Sequence, residues 1–432
     1  MVSTAPAFNL KVVLKETGIT ADTLRAWERR YGLPVPQRSA GGHRLYSQRD
    51  IETIKWLIKR QGEGLSISRA VDLWKEQLAS GSDPLAGAVQ QNIIPTSGTN
   101  LEAIRRDWLA ACFQFDTVAA EQILNQAFAM HSVEIICTEV MMRGLYEVGE
   151  RWQSGATTVQ QEHFASEVAM RRLEALISAS PAPTRTGTIL AACPPDEWHT
   201  FPLLLITLLL RRRGWNVVFL GGVVPIERME ETLNIVRPQL VILSAQTLMT
   251  AISLRDMARL LNEREIKTAF GGRVFNHVSG LSSRIPAHFL GNTIEVAIPM
   301  IESLITNLVS TPKGEVADKK LLQTASEFRE KRPMIEREIS NYLTSHNQRI
   351  DYLDIANQFL GNILAAALEL GDISYASTDL HWIGNLLTER NVSLSVLPLF
   401  LNLYAQAIRE TMNEDGKVLY DWLTVEAQKL DL

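Results

Sequence analysis

The sequence predicts a multidomain chain of α and α/β architecture, with a winged helix-turn-helix, a four-helix bundle, a doubly wound parallel sheet and an all-helical C-terminal domain. The chain has 432 residues, more than one ordinary domain contains. Stretches rich in Gly, Ser and Pro at 80–100, 178–187 and 310–317 interrupt the periodic patterns, and we interpret the first as a linker and the other two as hinges. Strand and helix patterns alternate regularly only between the second and third stretches. The predicted domains span residues 1–79, 100–178, 186–310 and 318–432.

The composition is that of an ordinary globular protein, with 46% hydrophobic and 21% charged residues. A net charge of −5 provides no global attraction to nucleic acid or anionic lipid. The three cysteines have no paired spacing, which fits a reducing compartment. The longest apolar run, 201–210, is shorter than the roughly 20 residues that a membrane span needs. Because no signal-peptide pattern is present either, we expect a cytoplasmic protein without a membrane partner.

The N-terminal pattern predicts two helices joined by a short turn. The first is expected at Asn9–Glu16, and Thr20 is expected to cap the second, Ala21–Tyr31. The second helix carries Thr23, Arg25 and Arg29 as candidate DNA contacts, whereas Trp27 is expected to face the core. The pattern alone leaves a plain helical domain with a solvated basic face as the alternative.

A glycine-hinged loop follows and has the composition of a wing. Arginine offers bidentate phosphate contacts and tyrosine a hydroxyl donor. Its candidate contacts are Arg38, His43, Arg44 and Tyr46. The run RAWERRYGL at 25–33, followed by Arg38 and GHRLY at 42–46, closely resembles the MerR-type winged helix-turn-helix family over about residues 8–78. The resemblance implies that a homo-oligomer, a dimer or a tetramer, binds pseudo-palindromic double-stranded promoter DNA.

Two further groups of candidate site residues lie in the middle of the chain. Trp152 ends one bundle helix, and Glu162 and His163 begin the next, so the three lie at one end of the bundle. On pattern alone, Trp152 is more often a core aromatic than a cofactor contact, and His163 is more often a bundle histidine with its hydrogen bonds made inside the protein. The second group follows predicted strands, whose carboxyl ends share one sheet edge. It comprises Glu197, His199, Ser244, Gly271 and Gly272.

The pair Glu197 and His199 fits a metal ligand with a supporting carboxylate, which can fix the tautomer of the ring. The order of these residues resembles the cobalamin-binding Rossmann-like domain of methionine synthase and its relatives. The resemblance lies in Glu197-x-His199, followed by Ser244 and then by Gly271-Gly272. Trp152 with Glu162-His163 resembles the cap of the cobalamin-binding MerR-type photoreceptor regulators of carotenoid synthesis.

This resemblance implies a bound cobalamin, carrying an adenosyl or methyl group, with His199 as the lower cobalt ligand and Glu197 orienting it. The nucleotide tail would lie beside Ser244 and the Gly271-Gly272 turn. The cap residues would cover the upper face.

The sequence departs from the family pattern at two positions. Pro202 replaces a glycine, and proline suits the first turn of a helix. Gln153 replaces the histidine that captures cobalt in the light-sensing members, and a neutral amide is a poor cobalt ligand. Capture of cobalt by a second histidine at that position is therefore not expected, and His163 is the substitute nearest in sequence.

The functional hypothesis is a non-enzymatic transcriptional regulator whose DNA affinity or oligomeric state is set by cobalamin, with light as a candidate signal. One alternative is a cobalamin-free regulator whose helical tail, 318–432, senses another signal. The other is a corrinoid methyltransferase subunit, which requires a substrate barrel of about 250 residues that the pattern lacks. We expect the tail to serve in oligomerisation or sensing, and His381 to be a partly buried surface histidine.

Overall fold

A computed structural model describes most of the chain. Its residues form two compact units, 1–99 and 100–432, each of which is considered by itself. The described residues are 6–38, 42, 44–62, 65–79, 101–307, 309–346, 350, 352–380 and 396–430. The predicted linker at 80–100, His43 and His381 lie outside them.

The N-terminal unit combines four helices with a small antiparallel sheet of order β1-β3-β2. The Thr20 side chain accepts a hydrogen bond from the Thr23 backbone N–H at 3.3 Å, as the predicted cap requires. Trp27 is 5% exposed and lies in the core, as predicted. The elements are β1 (Pro6–Asn9), α1 (Leu10–Thr17), α2 (Ala21–Tyr31), β2 (Gln37–Arg38), β3 (Arg44–Ser47), α3 (Gln48–Gly62) and α4 (Ile67–Ala79).

The second unit begins with a helical bundle. Asp116, Ser132 and Thr158 cap its later helices through side-chain oxygens that accept backbone N–H bonds. The third helical run changes to π-helical geometry at Ile136–Met142, which the sequence pattern did not predict. The α-helices are α5 (Leu101–Phe113), α6 (Thr117–Met130), α7 (Val133–Ile135), α8 (Arg143–Gln153) and α9 (Val159–Ser178).

A five-stranded parallel sheet of order β5-β4-β6-β7-β8 follows the bundle. The order reverses between β4 and β6, and ligands of such sheets bind at this switch point, outside the carboxyl ends of the strands. The strands are β4 (Thr188–Ala192), β5 (Asn216–Gly221), β6 (Leu240–Ser244), β7 (Thr268–Gly271) and β8 (His288–Phe289). The helices are α10 (Phe201–Arg212), α11 (Met229–Val236), α12 (Leu248–Glu263), α13 (Arg273–His277) and α14 (Ile294–Thr306).

The two faces of the sheet are covered by different parts of the chain. Residues of α10 and α14 share one apolar core with the bundle. Residues of α11, α12 and α13 share the other with the C-terminal helices, including Ile363, Ala366 and Leu370. The C-terminal α-helices are α15 (Lys319–Ser345), α16 (Leu353–Leu370), α17 (Val396–Met412) and α18 (Lys417–Leu430). This arrangement confirms the predicted fold class.

The segment 310–317 differs from the predicted hinge. The Glu315 backbone N–H donates to the Ser283 carbonyl at 2.8 Å, and Ala317 is 9% exposed. A Cβ added at Gly314 would lie 2.9 Å from the Pro286 nitrogen. The segment is therefore docked on the α/β domain, because its glycine permits a close backbone approach that composition alone does not reveal.

Other element boundaries shift by a few residues. The first N-terminal helix, expected at Asn9–Glu16, spans Leu10–Thr17. The short helix α13 was not predicted, because five residues carry too little periodicity. After α16, the structure describes a 3-10 turn at Ile373–Ala376 and helical residues through Leu380.

The turn after β7 gives a direct test of this packing. Gly272 has φ +132°, and a Cβ there would lie 1.8 Å from the Ala245 carbonyl oxygen. Gly272→Ala should therefore destabilise the unit by at least about 2 kcal/mol in urea unfolding followed by circular dichroism. Gly271→Ala is the matched control, because its Cβ would meet nothing within 4 Å. Equal unfolding midpoints for the two variants would contradict this account.

Candidate functional site

The loop after β4 brings Glu197 and His199 to the switch point. The predicted edge exists: β6 lies between β4 and β7, and Ser244 pairs with Gly271 at the ends of their strands. The Val223 backbone N–H donates to the Glu197 carbonyl at 3.0 Å, which ties the loop to the end of β5. The imidazole is 65% exposed and the carboxylate is fully buried. The loop therefore presents His199 outward and keeps Glu197 inside.

The buried Glu197 carboxylate accepts four hydrogen bonds. Its Oε1 accepts from the His199 backbone N–H at 2.9 Å and lies 2.7 Å from His199 Nδ1. Its Oε2 accepts from the Gln246 backbone N–H at 2.6 Å and from the Thr250 hydroxyl at 2.7 Å. The carboxylate thus joins the loop after β4 to the loop after β6 and to the first turn of α12, across the switch point.

This arrangement shifts the pKa values of both side chains. Burial alone would raise the pKa of Glu197, but the hydrogen bonds and charge of His199, together with the Thr250 hydroxyl, hold it below its usual range. The hydrogen bond that His199 makes to Glu197 raises the pKa of His199, against an opposing effect of burial. A carboxylate bound to Nδ1 favours the tautomer that has its proton on Nδ1, which leaves Nε2 as the free donor atom for a metal.

A second set of contacts continues from this pair along the sheet edge. The Gln246 side chain donates to the Ser244 hydroxyl at 2.9 Å and accepts from the Arg273 backbone N–H at 2.9 Å. Sequence reasoning missed Gln246, Thr250 and Arg273. Their position could have identified them, because each lies within six residues after a strand, at the carboxyl edge of the sheet that the sequence had already indicated.

The two glycines after β7 differ in what they permit. Gly271 has open space where a Cβ would stand, whereas Gly272 lies against the Ala245 backbone. The first therefore leaves room above the sheet edge, and the second is required by packing. Pro202 lies in the first turn of α10, where proline was expected to be tolerated.

One end of the bundle reaches this edge. Arg273 pairs with Glu150 of α8 at 3.1 Å, and its guanidinium lies 5.7 Å from the centre of the Tyr146 ring. The charge of Glu162 also raises the pKa of His199. Glu162 accepts a hydrogen bond from the Ser166 hydroxyl at 2.8 Å, one turn further along its own helix.

The other cap residues are less closely tied to the edge. Trp152 is partly buried at the end of α8. His163 has a side chain that is 74% exposed, and its Nε2 lies 3.6 Å from Glu162 Oε2. The side chain of Gln153 lies outside the described part of the structure.

In the N-terminal unit, α2 exposes Thr23, Arg25 and Arg29 along its outer side. The backbone of Arg38 forms β2 but its side chain is not described, and His43 is not described at all. Three candidate residues thus stand on the surface of one helix.

The strand after the wing corrects one predicted DNA contact. Glu28 of α2 lies 3.0 Å from Arg44 Nε and accepts from the Tyr46 hydroxyl at 2.6 Å. Tyr46 is fully buried, and burial together with the Glu28 hydrogen bond raises its pKa. Its hydroxyl is therefore engaged inside the unit and holds the wing strand to the helix, instead of facing phosphate. Glu28 was overlooked, although it is the carboxylate within an otherwise basic run.

An outward histidine backed by a buried carboxylate, in a chain with a winged helix-turn-helix, defines a DNA-binding protein with a ligand-binding α/β domain. The HTH-type transcriptional repressor CarH of Myxococcus xanthus is 31% identical over 285 residues, which cover 65% of this chain and 94% of that protein. The chain belongs to the family of MerR-type transcriptional regulators with B12-binding domains. This finding confirms the resemblance on which the sequence-based hypothesis rests.

Individual regions match the corresponding family descriptions. Residues 8–77 match the MerR HTH family of regulatory proteins, and residues 104–177 and 187–284 each match a B12 binding domain. The repressor CarA of Myxococcus xanthus is 32% identical over 238 residues, 54% of this chain and 75% of that protein. A solved Methanosarcina barkeri monomethylamine corrinoid protein is 20% identical, with a TM-score of 0.40 over 47% of this chain and 99% of that one. Among the described residues, every helix is too short or too polar to cross a membrane.

The Thr250 hydroxyl provides a test of the Glu197 network. Thr250→Val removes one of the four bonds to a buried carboxylate and should lower the free energy of unfolding by about 2 kcal/mol. Thr207→Val is the matched control, because Thr207 is also buried and, among the described residues, its hydroxyl donates to the Leu203 carbonyl of its own helix. The control should lose less than about 1 kcal/mol in the same urea titration. A larger loss in the control than in Thr250→Val would contradict the assigned role.

Proposed function

We propose that this protein is a transcriptional regulator whose DNA affinity or oligomeric state is controlled by a bound cobalamin. The observation that carries the proposal is the exposed His199 ring, whose Nδ1 is held by the buried Glu197 at the switch point of the sheet. Membership of a family with both MerR and B12-binding domains supports it.

The residues present fit a corrinoid. Imidazole nitrogen suits cobalt, and the supporting carboxylate raises its basicity. Gly271 leaves open space beside the sheet edge, and Ser244 is held by Gln246 at the same place. His199 would hold the cobalt, and Ser244, Gly271 and Gly272 would border the nucleotide tail. When bound, the cofactor supplies a cobalt centre that carries an exchangeable upper ligand, adenosyl or methyl.

The bundle would respond to the cofactor through the cap. We assign Trp152, Glu162 and His163 to the upper face, because the bundle end that carries them is joined to the sheet edge by the Arg273–Glu150 pair. A ligand that contacts both the bundle and the sheet favours the arrangement in which they are closed on each other. That arrangement would in turn determine how copies of the chain assemble and present their DNA-binding units.

DNA recognition is assigned to α2 and the wing. Thr23, Arg25 and Arg29 would contact bases or phosphates from the exposed side of α2. Arg38, His43 and Arg44 would grip the backbone beside it. We propose a regulatory and not an enzymatic role, in the cytoplasm, on double-stranded promoter DNA. Light is a further proposed input. Because Gln153 stands where the light-sensing members have a histidine, a response to light would have to proceed without capture of cobalt at that position.

Reconstitution in the dark tests the cofactor. The full chain, incubated with adenosylcobalamin and passed over a gel-filtration column, should retain corrin absorbance near one equivalent per chain. His199→Ala should bind at least tenfold more weakly, because it loses the lower ligand. His346→Ala, which changes an exposed histidine of the C-terminal helices, should bind like the wild type. Absence of retained corrin in the wild type would reject the cofactor, and undiminished binding by His199→Ala would reject the axial role.

Salt dependence tests the DNA interface. Fluorescence anisotropy on a DNA duplex selected from random sequence for binding to the full chain should give a log Kd that rises linearly with log salt, because bound phosphates release counterions. Arg25→Ala should weaken binding by about tenfold and reduce the slope by roughly one. Arg337→Ala, an exposed arginine of the C-terminal helices, is the charge-matched control and should change neither quantity. A slope near zero in the wild type would contradict the assignment.

A further inference from the structure

A cavity of about 260 Å³ lies where the α/β domain meets the C-terminal helices. Its wall is built from α12, the docked segment before α15, α15 itself and the end of α16. The lining residues are Arg255, Arg259, Val316, Ala317, Leu322, Ser326, Arg329 and Glu369. It lies on the sheet face opposite to the bundle, and none of its residues belongs to the cofactor site described above.

The lining has an excess of positive charge. Three guanidinium groups face one carboxylate, and Asp256 of the same helix supplies one further negative charge nearby. Glu369 is shared between Arg329 and Arg255. Two carboxylates are thus divided among three arginines. Arginine forks match carboxylate and phosphate oxygens, so an excess of them in a cavity favours an anion.

The arginine side chains of the cavity differ in how firmly hydrogen bonds within the protein hold them. Arg255 is 7% exposed and donates to the Glu369 carbonyl at 2.8 Å and to Asp256 at 3.0 Å, so it is held in place. Arg259 has a side chain that is 48% exposed, and among the described residues its hydrogen bond is the long one to Asp256, at 3.4 Å. Burial and the charge of Arg255 lower the pKa of Arg259, as expected for a cation that lacks full compensation. The Ser326 hydroxyl has no hydrogen-bond partner in the described part of the chain.

The remaining wall is apolar and open. Val316 is 72% exposed and Leu322 is 38% exposed, although both line the cavity. A ligand with a short apolar portion would cover them, which a bare inorganic ion would not do.

We propose that this cavity binds a small organic anion, a carboxylate or phosphate ester with a short apolar portion, and acts as an effector site. Arg259, Arg329 and Ser326 would bind the anionic group. Arg255 would remain paired with Glu369. Val316 and Leu322 would contact the apolar portion.

Helix α12 connects this cavity to the Glu197 network. Thr250, in its first turn, donates to Glu197, and Arg255 follows five residues later. At a rise of about 1.5 Å per residue, the two positions are roughly 7.5 Å apart along the helix axis. An anion that fixes the middle of α12 therefore acts on the helix whose first turn supports His199. The effector role rests on the proposed function, whereas the anion site does not.

Calorimetry on the full chain without cobalamin tests the site, with phenyl phosphate and benzoate as probes and benzylammonium as the cationic control. At least one of the two anions should bind, and benzylammonium should not. The relative affinities of phenyl phosphate and benzoate show whether the site prefers phosphate or carboxylate. Arg259→Ala should weaken anion binding at least tenfold, Arg259→Lys less, and Arg337→Ala not at all. Arg259 is half exposed, so circular dichroism should show these variants folded.

The anion site would be overturned if neither anion bound at 10 mM, on the order of the weakest specific sites. It would equally be overturned if benzylammonium bound as well as the anions, or if Arg259→Ala bound them as well as the wild type. The effector role predicts that a saturating anion changes the affinity for adenosylcobalamin at least fivefold, reciprocally. Unchanged affinity would overturn the effector role. Loss of cobalamin binding with anion binding intact would count against the proposed function alone.

Discussion

The buried carboxylate of Glu197 is the interaction on which the arrangement of the site depends. A charged group removed from water is tolerated only where hydrogen bonds replace its hydration. Here His199, Gln246 and Thr250 supply them, from three different segments. The cost of leaving that charge unpaired therefore holds the loop after β4, the loop after β6 and α12 in one relative position. The direction in which His199 faces is a consequence of this, because its Nδ1 is one of the partners.

The layout around the carboxylate explains how one site can influence several parts of the chain. The bundle covers one face of the sheet and the C-terminal helices cover the other, while the carboxyl edge stays accessible at the switch point. Arg273 extends from that edge to the bundle, and α12 extends from it to the C-terminal helices. A ligand at this edge would therefore lie beside Arg273, which contacts the bundle, and beside the first turn of α12, a helix that also contacts the C-terminal helices.

Much of this was predictable from the sequence, because local signals decide it. Capping by Thr20, Ser132 and Thr158 and the alternating strands fix where elements begin, and strand ends in a parallel sheet must share one edge. The pairing of Glu197 with His199 was predicted, but its two other partners were not, because one is the Gln246 backbone N–H and the other is Thr250, in a helix distant in sequence. Tyr46 was misassigned for a similar reason, since its burial depends on Glu28 across the unit. The docked segment 310–317 looked like a hinge because composition records flexibility and not packing.

The proposed function depends most on Glu197, which we propose orients His199 as the lower cobalt ligand. Electron paramagnetic resonance of the full chain loaded with cob(II)alamin tests it directly, after growth with ¹⁵N-labelled histidine. Nitrogen on the cobalt axis splits the signal, and replacing ¹⁴N by ¹⁵N changes each triplet to a doublet. We expect doublets in the labelled wild type, and their loss in Glu197→Ala, in which the ring is no longer held. Triplets that persist in the labelled wild type would show that the axial nitrogen does not come from histidine, and would contradict the account.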